Sequence, residues 1–230
     1  MQDLTLVIPA KNESESLPIF LDEISNLKYK KLIVLEHSDK STLDSIKNYS
    51  DIEILYQKNK GYGAALLEGI NFTKTKFFCI INADGSMDPK YLEQMLNTVK
   101  TNDLDFIFAS RYNNTQSGSD DDNLITLIGN YIFTKIGKIF FSLKITDILF
   151  TYVLGKTSSF NDLKLNSKDF TLCVEFPIKA MRNGYKLDNI SSYERSRIGG
   201  KKKVNALKDG LLILFKMIKM FFIKLKKKLH

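Results

Sequence analysis

Between residues 4 and 109 the chain alternates five short apolar runs with stretches of helical periodicity, and this alternation leaves few folds open. The runs Leu4–Pro9, Lys31–Leu35, Ile52–Tyr56, Phe77–Ile81 and Asp105–Ala109 have strand length and are rich in Val, Ile and Phe. Between them, Ser14–Leu27, Ser41–Tyr49, Gly61–Thr73 and Pro89–Thr101 carry apolar residues at helical spacing. Strands that alternate with helices predict an α/β domain with a mostly parallel sheet covered on both faces. Ligands of such sheets bind beyond the carboxyl ends of the strands. The polar segments Lys11–Glu13, Glu36–Ser41, Asn82–Asp84 and Ser110–Arg111 all fall at strand ends, so they should cluster in space.

The second half is less regular. Tyr112–Asn123 reads as a mobile polar loop, with Asp120, Asp121 and Asp122 most simply solvated. Leu124–Leu143 and Phe170–Gly184 read as helices, Leu187–Ser192 as a strand, and Arg195–Lys203 as a basic loop with two glycines. Residues 144–160 give no clear reading. The last helix is expected over Leu207–Leu225, which divides the chain into a main α/β domain, 1–206, and an appendage, 207–230.

Charge separates these two parts. Ten lysines and one acid, Asp209, lie in residues 201–230, so the net charge of +8 belongs to the tail. A nucleic-acid-binding protein would spread basic charge over a folded face with arginine and aromatics, so no nucleic acid is expected. Lysine fused to an apolar helix points instead to an anionic membrane surface. Lys216 and Lys219 interrupt the apolar stretch too early for a span of roughly 20 residues. The tail is therefore expected to lie in the interface, with packing on the domain core as the competing reading. The first residues lack a basic, long-apolar leader, so a cytoplasmic protein peripheral to the cytoplasmic membrane face is expected. Cys79 and Cys173 sit in apolar surroundings and read as reduced thiols. His37 and His230 are too few for a histidine-rich metal site, so any cation would rest on carboxylates and phosphates.

Asn82-Ala83-Asp84 follows the most apolar strand. A carboxylate fixed there could hold a divalent cation and, through it, a diphosphate leaving group. Ala-Asp-Gly-Ser alone is also ordinary turn chemistry. The surrounding motifs decide between the two: Pro9-Ala10-Lys11-Asn12-Glu13, Glu36, the stretch Asn59 to Ala65, Ala109-Ser110-Arg111-Tyr112, Gly129-Asn130, Ile145-Thr146-Asp147, Phe170 to Glu175, and Arg197 to Lys203. In this order they resemble the family 2 glycosyltransferases of GT-A fold, and within them the dolichol-phosphate mannosyltransferase-like branch, which loads sugar onto a polyprenyl phosphate.

The resemblance implies a sugar transferred from a nucleoside-diphosphate-sugar donor to a polyprenyl phosphate or another lipid-linked or glycan acceptor, with Mg2+ or Mn2+. It implies that Pro9, Ala10, Lys11, Asn12 and Glu13 line the nucleotide pocket and that Glu36 bonds base or ribose. Asn82, Ala83 and Asp84 would hold ribose, cation and diphosphate, with Ser86 beside the metal. Arg111, Arg197 and Lys203 would neutralise donor or acceptor phosphate. Asp147 would position the acceptor, because a phosphate acceptor is already ionised and needs little general-base help; a helix cap or surface carboxylate is its bland reading. Glu175 reads equally as functional or as a structural partner of a nearby cation, and His37 as a pocket-edge residue.

Three departures stand out. Asn82 replaces the usual Asp, Glu36-His37 replaces an Asp pair, and no arginine lies between Arg111 and Arg182, where Lys135 or Lys138 would have to substitute. Asn82 and His37 motivate one rival, a nucleotide-sugar-binding protein with impaired catalysis; another enzyme class on a similar sheet, a sugar-phosphate nucleotidyltransferase, is the second. The second expects a glycine- and arginine-rich first loop, which Pro-Ala-Lys-Asn-Glu does not match.

Overall fold

The strand β1 (Leu4–Pro9) shows why the sheet is central: Leu4, Leu6 and Ile8 turn to one face and Val7 to the other, and all are buried. Both faces must therefore be covered. The computed structural model describes residues 3–200 and 203–228, with side chains up to residue 223. The lysines at 201 and 202 and the side chains of Lys226–Lys228, part of the expected lipid-binding charge, lie outside the described residues.

The remaining strands are β2 (Lys30–Leu35), β3 (Ile52–Tyr56), β4 (Phe77–Ile80), β5 (Phe106–Ser110), β6 (Gly118–Ser119), β7 (Val153–Lys156), β8 (Leu187–Ser191) and β9 (Tyr193–Glu194). Seven of them form one sheet in the order β3-β2-β1-β4-β7-β5-β8, in which only β7 runs antiparallel to its neighbours. The chain steps from β1 outward to β3, then returns to place β4 on the other side of β1. The strand order reverses there, and the ends of β1 and β4 border the resulting crevice.

One face of the sheet is covered by α1 (Ser16–Glu23), α2 (Lys40–Ile46) and α4 (Leu92–Thr101), through Leu17, Phe20, Ile46, Met95 and Val99. The other carries α3 (Tyr62–Phe72), α5 (Leu124–Phe141), α6 (Thr157–Asp162), α7 (Leu172–Arg182) and α8 (Ala206–Lys228). A single 3-10 turn, Pro89–Tyr91, opens α4 and is capped by the Asp88 side chain.

Residues 144–160, which gave no clear reading, contain β7 and the start of α6; Gly155 lets Phe106 lie against the strand, where a Cβ would stand 2.2 Å from the ring. Two expectations need correction. Tyr112–Asn123 is tied down: β6 pairs with β9, Asp120 accepts from the Tyr193 hydroxyl, and Asp121 and Asp122 meet arginines. Finally, α8 is no free appendage. Ile213, Met217 and Met220 are buried in the core, Lys216 reaches Glu175 of α7, and Arg182 donates to the Met220 carbonyl. The competing reading, a helix packed on the domain, describes its inner face. Glu175 correspondingly takes the structural role.

Candidate active site

Each strand that ends at the crevice delivers one part of the site. After β1, Asn12 takes a positive φ of 51°, and its N–H donates to Asp39 at 2.6 Å. Asp39 also caps α2 and accepts from the Thr42 hydroxyl. Burial works against the Asp39 charge, but these donors outweigh it and hold the carboxyl below its ordinary value. This clasp turns Glu13 inward, where it takes Ser16 and Lys203, while Lys11 stays exposed at the rim and pairs with Glu36 at 3.2 Å. Asn12 itself contributes backbone geometry and does not line the cavity.

After β4, Asp84 is nearly buried at 7% exposure. Its Oδ1 accepts from the Ser86 N–H and hydroxyl at 3.1 and 2.8 Å, and its Oδ2 stands 3.3 Å from the Arg197 guanidinium. Ser86 therefore orients Asp84. Gly85 closes this turn at a φ of +72°, and a Cβ there would strike Ile198. The basic loop lies directly over the turn, because the Ile198 N–H donates to the Asp84 carbonyl and the Arg195 N–H to that of Ser86.

Asn82 is held from behind. Its Oδ1 accepts from the Tyr62 hydroxyl at 3.1 Å, which also contacts Thr151 at 2.6 Å, and the Tyr62 ring stacks on Phe170. Gly61 explains how α3 comes so close to the segment carrying Phe170: its φ is +114°, and a Cβ would overlap the Lys168 carbonyl at 2.2 Å.

After β5, Arg111 is the hub of a buried network. Its Nε and a terminal nitrogen donate to Asp147 at 2.7 and 3.0 Å, and the other nitrogen to Glu194 at 2.9 Å and Asp122 at 3.4 Å. Burial opposes this charge, but Asp147, Glu194 and Asp122 more than restore it. Asp147 receives a further bond from Asn130 and has a fully buried side chain. It does not line the cavity, so its reach is through Arg111. Burial also pushes the Glu194 carboxyl above its ordinary value, against the pull of Arg111 and Ser119.

Together these residues enclose a cavity of about 580 Å3. Pro9, Ala10, Lys11, Glu13, Glu36, Asn82, Ala83, Asp84, Ser86, Arg111, Arg197 and Lys203 all line it, so twelve positions expected from the sequence converge. Gln57, Gly61, Thr126, Asn130, Leu149, Phe150 and Ile213 line it as well. Neither Lys135 nor Lys138 reaches it. His37 lies outside, edge-on to Tyr56 at 4.8 Å. The sequence assigns no site role to Glu194, Asp121 or Asp122, and none to Tyr62 or Asp39 beyond their segments. Asp121 and Asp122 looked like solvent-exposed acids, and only tertiary contacts bring them to Arg197 and Arg111.

Residues 5–164, most of this scaffold, match the sequence profile described as Glycosyl transferase family 2. The chain belongs to that family. An uncharacterised glycosyltransferase of Methanocaldococcus jannaschii is 27% identical over 83% of this chain and 68% of its own length. A dolichyl-phosphate beta-glucosyltransferase of Dictyostelium discoideum is 30% identical, over 47% of this chain and 39% of its own. Among solved structures, glucosyl-3-phosphoglycerate synthase from Mycobacterium tuberculosis, in complex with Mn2+, uridine diphosphate and glucosyl-3-phosphoglycerate, superposes with a TM-score of 0.70 at 12% identity, covering 96% of this chain and 80% of that one. That likeness establishes the GT-A fold. The family 2 protein is thus a glycosyltransferase, and its strand-end cavity is the candidate active site.

Proposed function

We propose that this family 2 glycosyltransferase moves a sugar from a nucleoside-diphosphate-sugar donor to a lipid-linked phosphate. The observation that carries the acceptor half is the state of the cavity carboxylates. Glu13 meets Lys203, Glu36 meets Lys11, Asp84 meets Ser86 and Arg197, Asp121 meets Arg197, and Asp122 and Glu194 meet Arg111. Each already serves a donor. Such a site suits an acceptor oxygen that arrives ionised, as a phosphate does, better than a hydroxyl that must be deprotonated.

The nucleotide would occupy the end formed by Pro9, Lys11, Glu36 and Gln57, with its diphosphate beside Asp84. Arg197 and Lys203, on a glycine-containing loop, would turn from Asp84 and Glu13 to the incoming phosphates. Arg111, each of whose nitrogens already donates to a carboxylate, would set the shape and potential of the acceptor end rather than clamp a phosphate. The acceptor oxygen attacks the anomeric carbon, the bond from that carbon to the diphosphate oxygen breaks, and the nucleoside diphosphate leaves with the electron pair.

The donor set fits a divalent cation only as a shared site. Among the described residues no group of three or more acids, cysteines or histidines is placed to hold a metal ion. Asp84 would supply the protein charge, and the Asn82 carbonyl is already engaged by Tyr62. One carboxylate plus substrate phosphate oxygens is a normal arrangement for Mg2+. When bound, the cation would neutralise charge on the leaving diphosphate.

The test is a screen of labelled nucleotide sugars with polyprenyl phosphate, with and without chelator, following nucleoside diphosphate release. Transfer to the lipid that disappears in Asp84→Ala supports the proposal. Pyrophosphate release, or donor binding without turnover, overturns it in favour of one of the two rivals.

A further inference from the structure

The helices α5 and α8 lie side by side on one face of the sheet, with Phe140 of α5 edge-on to Phe221 of α8 at 5.5 Å. Their inner sides are packed: Asn130, Thr134, Gly137 and Phe141 on α5, Ile213 and Met217 on α8. Their outer sides are apolar and bare. On α5, Ile125, Ile128, Ile132 and Ile139 are 69%, 49%, 48% and 67% exposed. On α8, Leu207, Leu211, Phe215, Ile218 and Phe222 form a stripe at helical spacing, each at least 44% exposed. Two adjacent stripes of this size make a patch larger than monomeric soluble proteins usually tolerate.

The charge around the patch is mainly basic. The helix α5 has no acid and carries Lys135 and Lys138, and on α8, where Lys216 turns inward to Glu175, Lys208 and Lys219 stand exposed against Asp209. A protein partner or a second copy of this chain would meet those lysines with acids, which this face does not offer. An anionic bilayer meets both the apolar stripe and the basic flank. By length and composition alone α5 is apolar enough to cross a membrane. Its inner face, with Asn130 bonded to Asp147, instead fastens it to the domain from Asn130 to Phe141.

We propose that α5 and α8 together form a membrane-seating face, in which α5 inserts alongside α8 into an anionic leaflet. The seated face borders the active site, because Thr126 and Asn130 of α5 and Ile213 of α8 line the cavity. On the functional reading above, a lipid acceptor would keep its chain in the leaflet and pass its phosphate between the two helices.

The chain has no tryptophan, so one introduced indole reports its own surroundings. Ile132→Trp, Leu211→Trp and, on α1 of the opposite sheet face, Ile19→Trp would be mixed with vesicles of phosphatidylcholine and phosphatidylglycerol, with and without brominated acyl chains. Blue-shifted emission quenched by bromine is expected at 132 and 211 and not at 19. Ile128→Glu with Ile132→Glu, which leaves α8 and the packed side of α5 intact, should weaken vesicle binding by about tenfold or more. Thermal melts that match the unaltered protein are required of these variants before their vesicle binding is compared. Water-exposed emission at 132, or vesicle binding indifferent to the α5 glutamates, overturns the proposal and leaves α8 as sole anchor. A solution dimer that those glutamates break, without vesicle binding, assigns the face to a second copy and overturns it equally. The readout needs no turnover: seating without lipid glycosylation breaks the functional reading and leaves this one standing.

Discussion

Single residues in this protein act through the partners that hold them. Asp147 is the clearest case, since both of its oxygens face donors from Arg111 and Asn130 inside the fold. Removing one partner of a buried pair strands the other. Asp147→Ala should therefore cost about 3–5 kcal/mol of stability in urea denaturation, with Asp147→Asn costing less because the amide still accepts from Arg111. Glu194 tests the acceptor chemistry. Its raised carboxyl would make it the best general base in the cavity, were one needed. For a phosphate acceptor, Glu194→Gln should lower kcat by less than about tenfold and leave the acid limb of the pH–rate profile in place. A lost limb would assign proton abstraction to this residue and point to a hydroxyl acceptor.

At the scale of elements, contacts between helices and loops decide what moves. Glu175 of α7 binds Lys179, the Ser167 N–H and Lys216 of α8. Burial alone would raise its carboxyl, but Lys179, Ser167 and Lys216 bring it down from 4.5 to about 2. A depressed value means stabilisation that is complete above about 4.5 and is lost as pH falls through about 2. A shift of this size corresponds to about 3 kcal/mol. Glu175→Gln should remove that contribution at neutral pH and flatten the stability profile between pH 4.5 and 2, as read by denaturation across pH. The Asp84 turn and the basic loop are coupled through Gly85 in the same way. Gly85→Ala forces a Cβ onto Ile198 and strains a positive φ. Donor affinity should fall by about tenfold or more, more than the loss of thermal stability would suggest, measured by nucleotide-sugar titration.

Across the whole molecule, the sheet, the cavity and the outer helices share one layer of packing. Truncation after Asn205 removes Ile213, Met217 and Met220 from the core, each contributing about 1.5–3 kcal/mol. The shortened chain should melt well below the full one, whatever its behaviour with lipid, as calorimetry would show. Vesicle binding is therefore tested by surface substitutions, because truncation confounds anchoring with folding.

The legible part of this protein was its parallel half. Leu4–Pro9 has the boundaries its sequence predicts, because a strand buried on both faces is a continuous apolar run and a helix repeats with its own period; the partly exposed edge strand Ile52–Tyr56 is legible from its short Ile- and Tyr-containing run instead. Parallel strands also place their carboxyl ends at one edge, so the convergence of Pro9, Glu36, Asp84 and Arg111 followed from order alone. The antiparallel β7 was not legible: four residues with a glycine at the third carry too little pattern, and their place between β4 and β5 depends on strands distant in sequence. Nor were the partners of Arg111 and Arg197, since an acidic run looks solvated until folding sets a cation against it. The two faces of α8 show the same division. Sequence by itself determined that this helix is apolar and basic, which is a matter of composition; only the tertiary structure decided which side packs inward on Glu175 and the core and which side, with α5, is left for another surface, because burial depends on neighbours that the chain brings from far away.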